Sequence, residues 1–307
     1  LDEPLERAEV LLPLGRLCKL TGAWEAAAGW LEQGMVEITD VELGETAVSL
    51  QAQLCHTLGN LERSRSHYAE ALRWLGQAQH HYEQQADRVG VCATLVETSN
   101  VYYQQGQYAA AQAQLEQTLV AAQQVDDPRS LALVRHNLGS VAYSQTHYAV
   151  AQDHFAAALA IRQTLGNKVE LADSHNNLGL VAFRRGEAGV AQEHFAQSLV
   201  LRRAVGDRWG IAASLNNLGL IPYEQQDYAT AETYWAEAVV MRRALGDDWT
   251  LAGGLDNLAL VAVGQEDVER AAGLLDEAIT LRRRLADKPG LAISLGNLGR
   301  LLWQQGK

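Results

Sequence analysis

Three cysteines, five prolines, three phenylalanines and two methionines are all that 307 residues supply of these types. Cys18, Cys55 and Cys92 form no Cys-x-x-Cys pair and no tight cluster. That excludes a disulfide framework and a cysteine-rich zinc site, and it suits a reducing cytoplasm. No run approaches the roughly 18 consecutive apolar residues that cross a membrane. The opening stretch from Leu1 to Val10 has neither an initiator methionine nor the charged-then-apolar order of a signal peptide, so the chain reads as a fragment of a longer protein. Positive charge is the scarcer sign. Against 37 acidic residues stand 25 basic ones, and the formal charge of −12 disfavours non-specific binding to nucleic acid or anionic membrane. A basic or neutral-apolar partner suits that balance.

Catalytic signatures are missing as well. The chain carries no phosphate-binding GxxxxGK[ST] loop, no GxGxxG, no GxSxG and no HExxH. Adjacent His80 and His81 diverge on a helix, and His154 and His194 lie 40 residues apart, which marks a repeat more than a metal site. Asp126-Asp127 and Asp247-Asp248 fall in expected loops, where capping explains them. No enzyme activity, cofactor or metal is expected.

What the chain does have is 48% hydrophobic residues, enough for a core, and a strict internal period. Asn-Leu-Gly occurs at Asn137, Asn177, Asn217 and Asn297, with Asn257-Leu258-Ala259 between, always 40 residues apart. The same step reaches back to Ser99, Gly59 and, after a loop lengthened near Gly44, Gly15. Twelve residues after each small residue stands an alanine, from Ala27 and Ala71 to Ala231 and Ala271. Four further on comes a bulky residue: Leu31, Leu75, Leu115, Phe155, Phe195, Trp235 or Leu275. Small opposite large is how two antiparallel helices approach and interdigitate. Between these markers the apolar residues recur at helical spacing, as at Leu178, Val181 and Ala182. Gly166, Gly206 and Gly246 suit left-handed helix ends; Pro128 and Pro289 suit helix starts. Arginines such as Arg162, Arg202, Arg242 and Arg282 in the preceding turns complement the helix macrodipole. Pro222 and Pro13 fall inside helices and should kink them.

Leu-Gly, then an aromatic, then Ala, then an aromatic or Leu resembles the tetratricopeptide signature across nearly the whole chain. The 40-residue unit, with its recurring phrase from Arg202 to Leu220 and from Arg242 to Leu260, is similar to the sensor arrays of bacterial STAND-type signalling ATPases, and also to LGN/Pins scaffolds. The resemblance implies an all-α, right-handed superhelical solenoid of antiparallel hairpins forming one domain over 1–307. Repeats are expected at about 1–44, 45–86, 87–126, 127–166, 167–206, 207–246 and 247–286, followed by a lone helix at 287–307 that is either a cap or the first half of a further hairpin.

In such arrays the first helix of each hairpin lines a concave groove. The expected groove residues are the amide row Asn137, Asn177, Asn217, Asn257 and Asn297, the neighbouring His136, Asn176, Asn216 and Asp256, and Tyr143, Phe183, Arg184 and Tyr223. Asn offers a donor and an acceptor, so a row of them can hold a peptide backbone without reading its sequence. Equally, those amides can bond neighbouring helices, while Leu180, Leu220 and Leu260 pack between hairpins. The function these features imply is recognition of a protein or peptide, as the partner-binding arm of a larger signalling protein with an effector domain upstream. A small-molecule sensor and a self-associating scaffold that forms homo-oligomers are the alternatives.

Overall fold

The computed structural model describes residues 3–20, 22–38 and 44–304. Among these every regular element is an α-helix: α1 (Pro4–Leu20), α2 (Trp24–Glu37), α3 (Glu45–Ser64), α4 (Tyr68–Gln84), α5 (Arg88–Gln104), α6 (Tyr108–Gln123), α7 (Pro128–Ser144), α8 (Tyr148–Leu165), α9 (Lys168–Arg184), α10 (Ala188–Val205), α11 (Arg208–Glu224), α12 (Tyr228–Leu245), α13 (Asp248–Gly264), α14 (Val268–Arg284) and α15 (Lys288–Gln304). The lengthened loop before Gly44 and residues 305–307 lie outside the described residues. The chain divides into two compact units, residues 1–161 and 162–307. Each is an all-helical solenoid of stacked hairpins.

Punctuation along the sequence sets the helix ends. Asp87, Asp127, Asn167, Asp207 and Asp247, one per repeat, accept backbone N–H groups in the first turns of α5, α7, α9, α11 and α13, which satisfies donors the helices leave open. Pro128 opens α7, and Pro289 is the second residue of α15. Gly166, Gly206 and Gly246 take left-handed φ values of 73°, 69° and 68° at the ends of α8, α10 and α12, as their positions in the repeat require. α11 is continuous to Glu224 with Pro222 in its last turn, where the missing N–H costs one bond near the end instead of breaking the middle.

The small-large pairs close each hairpin. A Cβ added at Gly139 would lie 2.7 Å from the Phe155 ring, at Gly179 2.6 Å from Phe195, and at Gly219 2.3 Å from Trp235. Only glycine lets an aromatic seat that deeply against the facing backbone, and Trp235 adds a 2.8 Å bond from its Nε1 to the Asn216 carbonyl. Where Ser99 and Ala259 replace glycine, the opposing residue is the smaller Leu115 or Leu275, and all four are buried. At α15 the equivalent Gly299 meets open space.

Hairpins stack in a fixed order. Within each unit, even-numbered helices pack on the odd-numbered helix that follows, as α4 on α5, α6 on α7, α10 on α11 and α12 on α13. Odd-numbered helices also touch the next odd one, as in α1 with α3, α3 with α5, α5 with α7, α9 with α11 and α13 with α15. No even-numbered helix packs comparably on the next even one among the described residues. The odd helices therefore form the tighter, inner layer of each unit, and that layer carries the expected binding residues.

Candidate functional site

On the inner layer of the first unit, α7 presents His136, Asn137 and Tyr143. Asn137 Nδ2 donates to the Leu133 carbonyl of its own helix at 2.9 Å, which fixes the amide. His136 lies edge-on to Phe155 with ring centroids 5.6 Å apart, and Tyr143 rests on Tyr148 at 5.6 Å. Tyr103 and Ser144 join α5 to α7 through a 2.7 Å hydroxyl bond. Between these helices opens a cleft of about 290 Å³ lined by Arg63, Asn100, Tyr103, Asn137 and Ser140 among others.

In the second unit the amides bond one hairpin to the next. Asn217 Nδ2 donates to Asn176 Oδ1 at 2.8 Å, and Asn257 Nδ2 donates to Asn216 Oδ1 at 3.0 Å. The two bonds repeat with the same geometry one hairpin apart. Each uses one donor of the amide, and Asn217 and Asn257 are half-buried. The second amide hydrogen of each is left for a ligand by the inventory of an amide group, while the Asn217 oxygen already accepts from Asn216 Nδ2 at 3.5 Å. Asn177 is half-buried on α9, and Asn297 on α15 accepts from Arg300. Phe183 packs against the core cluster of α9 to α12, whereas Arg184 is exposed at the end of α9. Tyr223 sits between Tyr228 and Trp235, with centroids 5.9 and 5.3 Å away, and borders a cleft of about 160 Å³ shared with Leu260, Val263, Asn297 and Arg300. Leu180 and Leu220 pack against the cores of α9–α12 and α12–α14.

Asp256 is placed differently from its row. It is 4% exposed, with Arg282 Nη2 at 2.6 Å and the Ser294 hydroxyl at 3.1 Å, so it lies beneath the inner face and ties α13 to α14 and α15. Arg282 is one of four arginines in the same column of the repeat. Arg162, Arg242 and Arg282 are 5%, 7% and 7% exposed, and Arg202 is nearly as buried. Arg162 reaches Ser174 Oγ at 2.7 Å; Arg202 reaches Asp173 at 2.8 Å; Arg242 reaches the Thr250 carbonyl at 2.9 Å. These arginines stand in the last turns of their helices, as macrodipole complementation expects, and their guanidinium groups also turn inward to clamp neighbouring odd helices. The sequence signal was the column spacing itself, obscured by exposed neighbours such as Arg203 and Arg243 in the same basic runs.

A second feature has no counterpart in the amide row. In the first three hairpins the inner face carries Arg16, Lys19, His56, Asn60, Arg63 and Glu97. Arg63 Nε is 3.1 Å from Glu97, and its Nη2 is 3.3 Å from Asn60 Oδ1, the same oxygen that accepts from Lys19 Nζ. Burial holds Lys19 below its ordinary pKa, with Glu97 pulling it back up and Arg63 pushing it further down. Burial likewise lowers His56.

Nothing in this constellation resembles a reaction centre. Burial pushes the Cys55 thiol up to about 12 and raises Cys92, so neither is a thiolate at neutral pH. Among the described residues no group of three or more His, Cys, Asp or Glu side chains could hold a metal ion, and no helix is long and apolar enough to cross a membrane.

Profiles of the tetratricopeptide repeat match residues 90–164, 170–244 and 251–288. No curated protein matches the chain. Solved structures that share the fold include a Rap protein complexed with Competence and Sporulation Factor, at 13% identity and TM-score 0.62, covering 98% of both chains. Aspartyl phosphate phosphatase F from Bacillus subtilis aligns at 12% identity and TM-score 0.70, over 91% of this chain and 71% of that one. A STAND signal-transduction ATPase with a tetratricopeptide repeat sensor, from Pyrococcus horikoshii, aligns at 16% identity and TM-score 0.67 over 96% of this chain and 44% of that one.

Proposed function

The chain belongs to the tetratricopeptide repeat family, and from that premise we propose that it is a non-catalytic recognition module that holds a protein or peptide along the inner layer of odd-numbered helices. The observation that carries this reading is the pair of inter-hairpin amide bonds, Asn217 to Asn176 and Asn257 to Asn216. Each bond orients an amide by using one of its donors, so the remaining donor recurs at a constant stride. An extended or helical chain with its own regular backbone groups matches such an array. Phe183 and Tyr223 beside it are half-buried surfaces for side chains.

The test is selection of binding peptides on the full chain, followed by the double substitution Asn217→Ala with Asn257→Ala. Affinity should fall about tenfold or more, as two hydrogen bonds of about 1 kcal/mol each imply. Unchanged affinity for every selected peptide removes the amide row from the site.

In this reading the module is the sensor or partner-recognition arm of a larger signalling protein in a reducing cytoplasm, consistent with three free cysteines and with the STAND neighbour, whose chain extends well beyond the aligned part. A phosphate-loop domain upstream in the full reading frame would support it. The small-molecule reading has its own observation, the cleft of about 290 Å³ with the polar groups of Arg63, Asn100, Asn137 and Ser140 converging on it.

A further inference from the structure

One column of the repeat lies where the two helices of a hairpin face each other. Leu215 and Tyr234 hold it in α11 and α12, Leu255 and Leu274 hold it in α13 and α14, and all four pack into the cores there. In α9 and α10 the same two places are His175 and His194. Their Nδ1 atoms are 3.0 Å apart, their ring centroids are 5.2 Å apart, and both rings are half-buried. Two polar rings in place of an apolar pair forgo packing that the following hairpins keep. A neutral histidine nitrogen is the commonest metal ligand in proteins, and burial lowers the pKa of both rings, which keeps them neutral near pH 7. Two nitrogens bound to one ion at about 2.0–2.1 Å stand about 2.9–3.4 Å from each other, for bond angles from square to tetrahedral. The observed separation falls inside that window, so a tilt of the rings on fixed helices is all that chelation requires.

We propose that His175 and His194 chelate one divalent ion of the nickel, copper and zinc class between α9 and α10, each through its Nδ1 lone pair. The ring that donates in the metal-free pair moves its proton to Nε2 by exchange with water, and the ion takes the place of the hydrogen bond between the rings. Nitrogen donors select against magnesium and calcium, which take oxygen ligands. Among the described residues no third His, Cys, Asp or Glu side chain joins the pair, so the remaining coordination positions belong to water or to a donor from outside the chain. The exposed carboxylate of Glu193 acts on His194 through space and favours a cation there. Because the two ligands sit on the packed helices of one hairpin, the second bond to the ion forms at high effective concentration. Neither histidine belongs to the amide row, and the site stands apart from the peptide groove.

The experiment is isothermal titration of the full chain, stripped of metal with a chelator and dialysed, with nickel, copper, zinc or magnesium chloride near neutral pH. Nickel, copper and zinc should each bind saturably, copper most tightly, and magnesium should not. His175→Gln or His194→Gln leaves a single ligand and should weaken nickel binding at least about tenfold. His154→Gln, at the matching place one hairpin earlier where Arg135 is the neighbour, should leave the isotherm unchanged. Urea denaturation gives a second readout, since an ion held only by the folded pair stabilises the fold. Nickel should raise the midpoint of wild type but not that of His175→Leu with His194→Leu, a double variant that copies the Leu255 and Leu274 pair and so keeps the packing of the column. Identical isotherms for wild type and the His175 and His194 variants mean an adventitious ion only and overturn the inference. So does the absence of saturable binding by nickel, copper and zinc, equal binding of magnesium, or an equal nickel-dependent rise in the midpoint of the double leucine variant.

Discussion

At the scale of single residues, the tight packing of hairpins rests on matched volumes. Gly219→Ala places a methyl group against Trp235 and should destabilise the chain by about 1–3 kcal/mol, the cost of overpacking a filled site. Adding Trp235→Leu should recover part of that loss, because Ala259 against Leu275 is this same combination two helices on. Urea denaturation of the single and double variants checks both claims, and a double variant no more stable than Gly219→Ala alone contradicts the matched-volume account. The buried arginines make a different demand. Arg282→Ala leaves Asp256 and Asp287 buried without their cation and should cost about 3–5 kcal/mol, whereas replacing Arg282 and Asp256 together by Met and Leu should cost much less. The His175–His194 pair gives pH dependence. Their Nδ1 atoms are 3.0 Å apart, so one ring donates to the other and both cannot carry a proton on these facing nitrogens. Burial lowers both pKa values, and for His175 the neighbouring imidazole lowers it further. The unfolded chain therefore binds more protons than the folded one below the ordinary imidazole value of about 6.5, and stability falls as pH drops through that value toward the depressed folded ones. His194→Gln should flatten the dependence of the urea midpoint on pH between about 5 and 7.

At the scale of elements, the turns divide by residue. Most inner-to-outer and outer-to-inner turns contain one residue in the left-handed region, glycine at Gly106, Gly186 and Gly206 but Ser66, Ala86, Gln226 and Ala286 elsewhere, and the turn from α6 to α7 has none. A residue with a Cβ is strained there, so Ala286→Gly should stabilise the chain by about 0.5–1 kcal/mol and Gly206→Ala should destabilise it by a similar amount. Thermal melts of the two variants should move in opposite directions. Helices and most of their ends were legible in the sequence because periodicity, Asp caps and glycine stops all reported the same boundaries. The left-handed alanines were not, since nothing in an alanine signals the conformation that the repeat forces on it. Pro222 lies inside a helix as its place in the repeat predicts, and its distance from the helix end became clear only from the position of the last turn.

At the scale of the whole chain, the repeat was fully visible, and it assigned the expected binding residues to the first helix of each hairpin. The chemistry of that layer was less so. Asn217 and Asn257 could be placed in a column by spacing, but whether they bond each other's hairpins depends on side-chain reach, which spacing does not encode. The cations at Arg16, Lys19 and Arg63 were hidden by averaging, because a net charge of −12 describes 307 residues and not one face. Energetically, too, the chain is a sum of local parts. The buried clusters draw on neighbouring hairpins, as Phe195, Leu215 and Ala238 do in α10 to α12, and Trp235, Leu255 and Ala278 do in α12 to α14. Such an array lacks a single core whose loss unfolds everything, so damage should spread by adjacency. Trp235→Ala should therefore accelerate amide hydrogen exchange most in α11, α12 and α13, less in α9 and α15, and least in α3 to α5. Uniform acceleration across all helices would mean that the hairpins unfold as one cooperative block, which the confinement of each cluster to adjacent helices argues against.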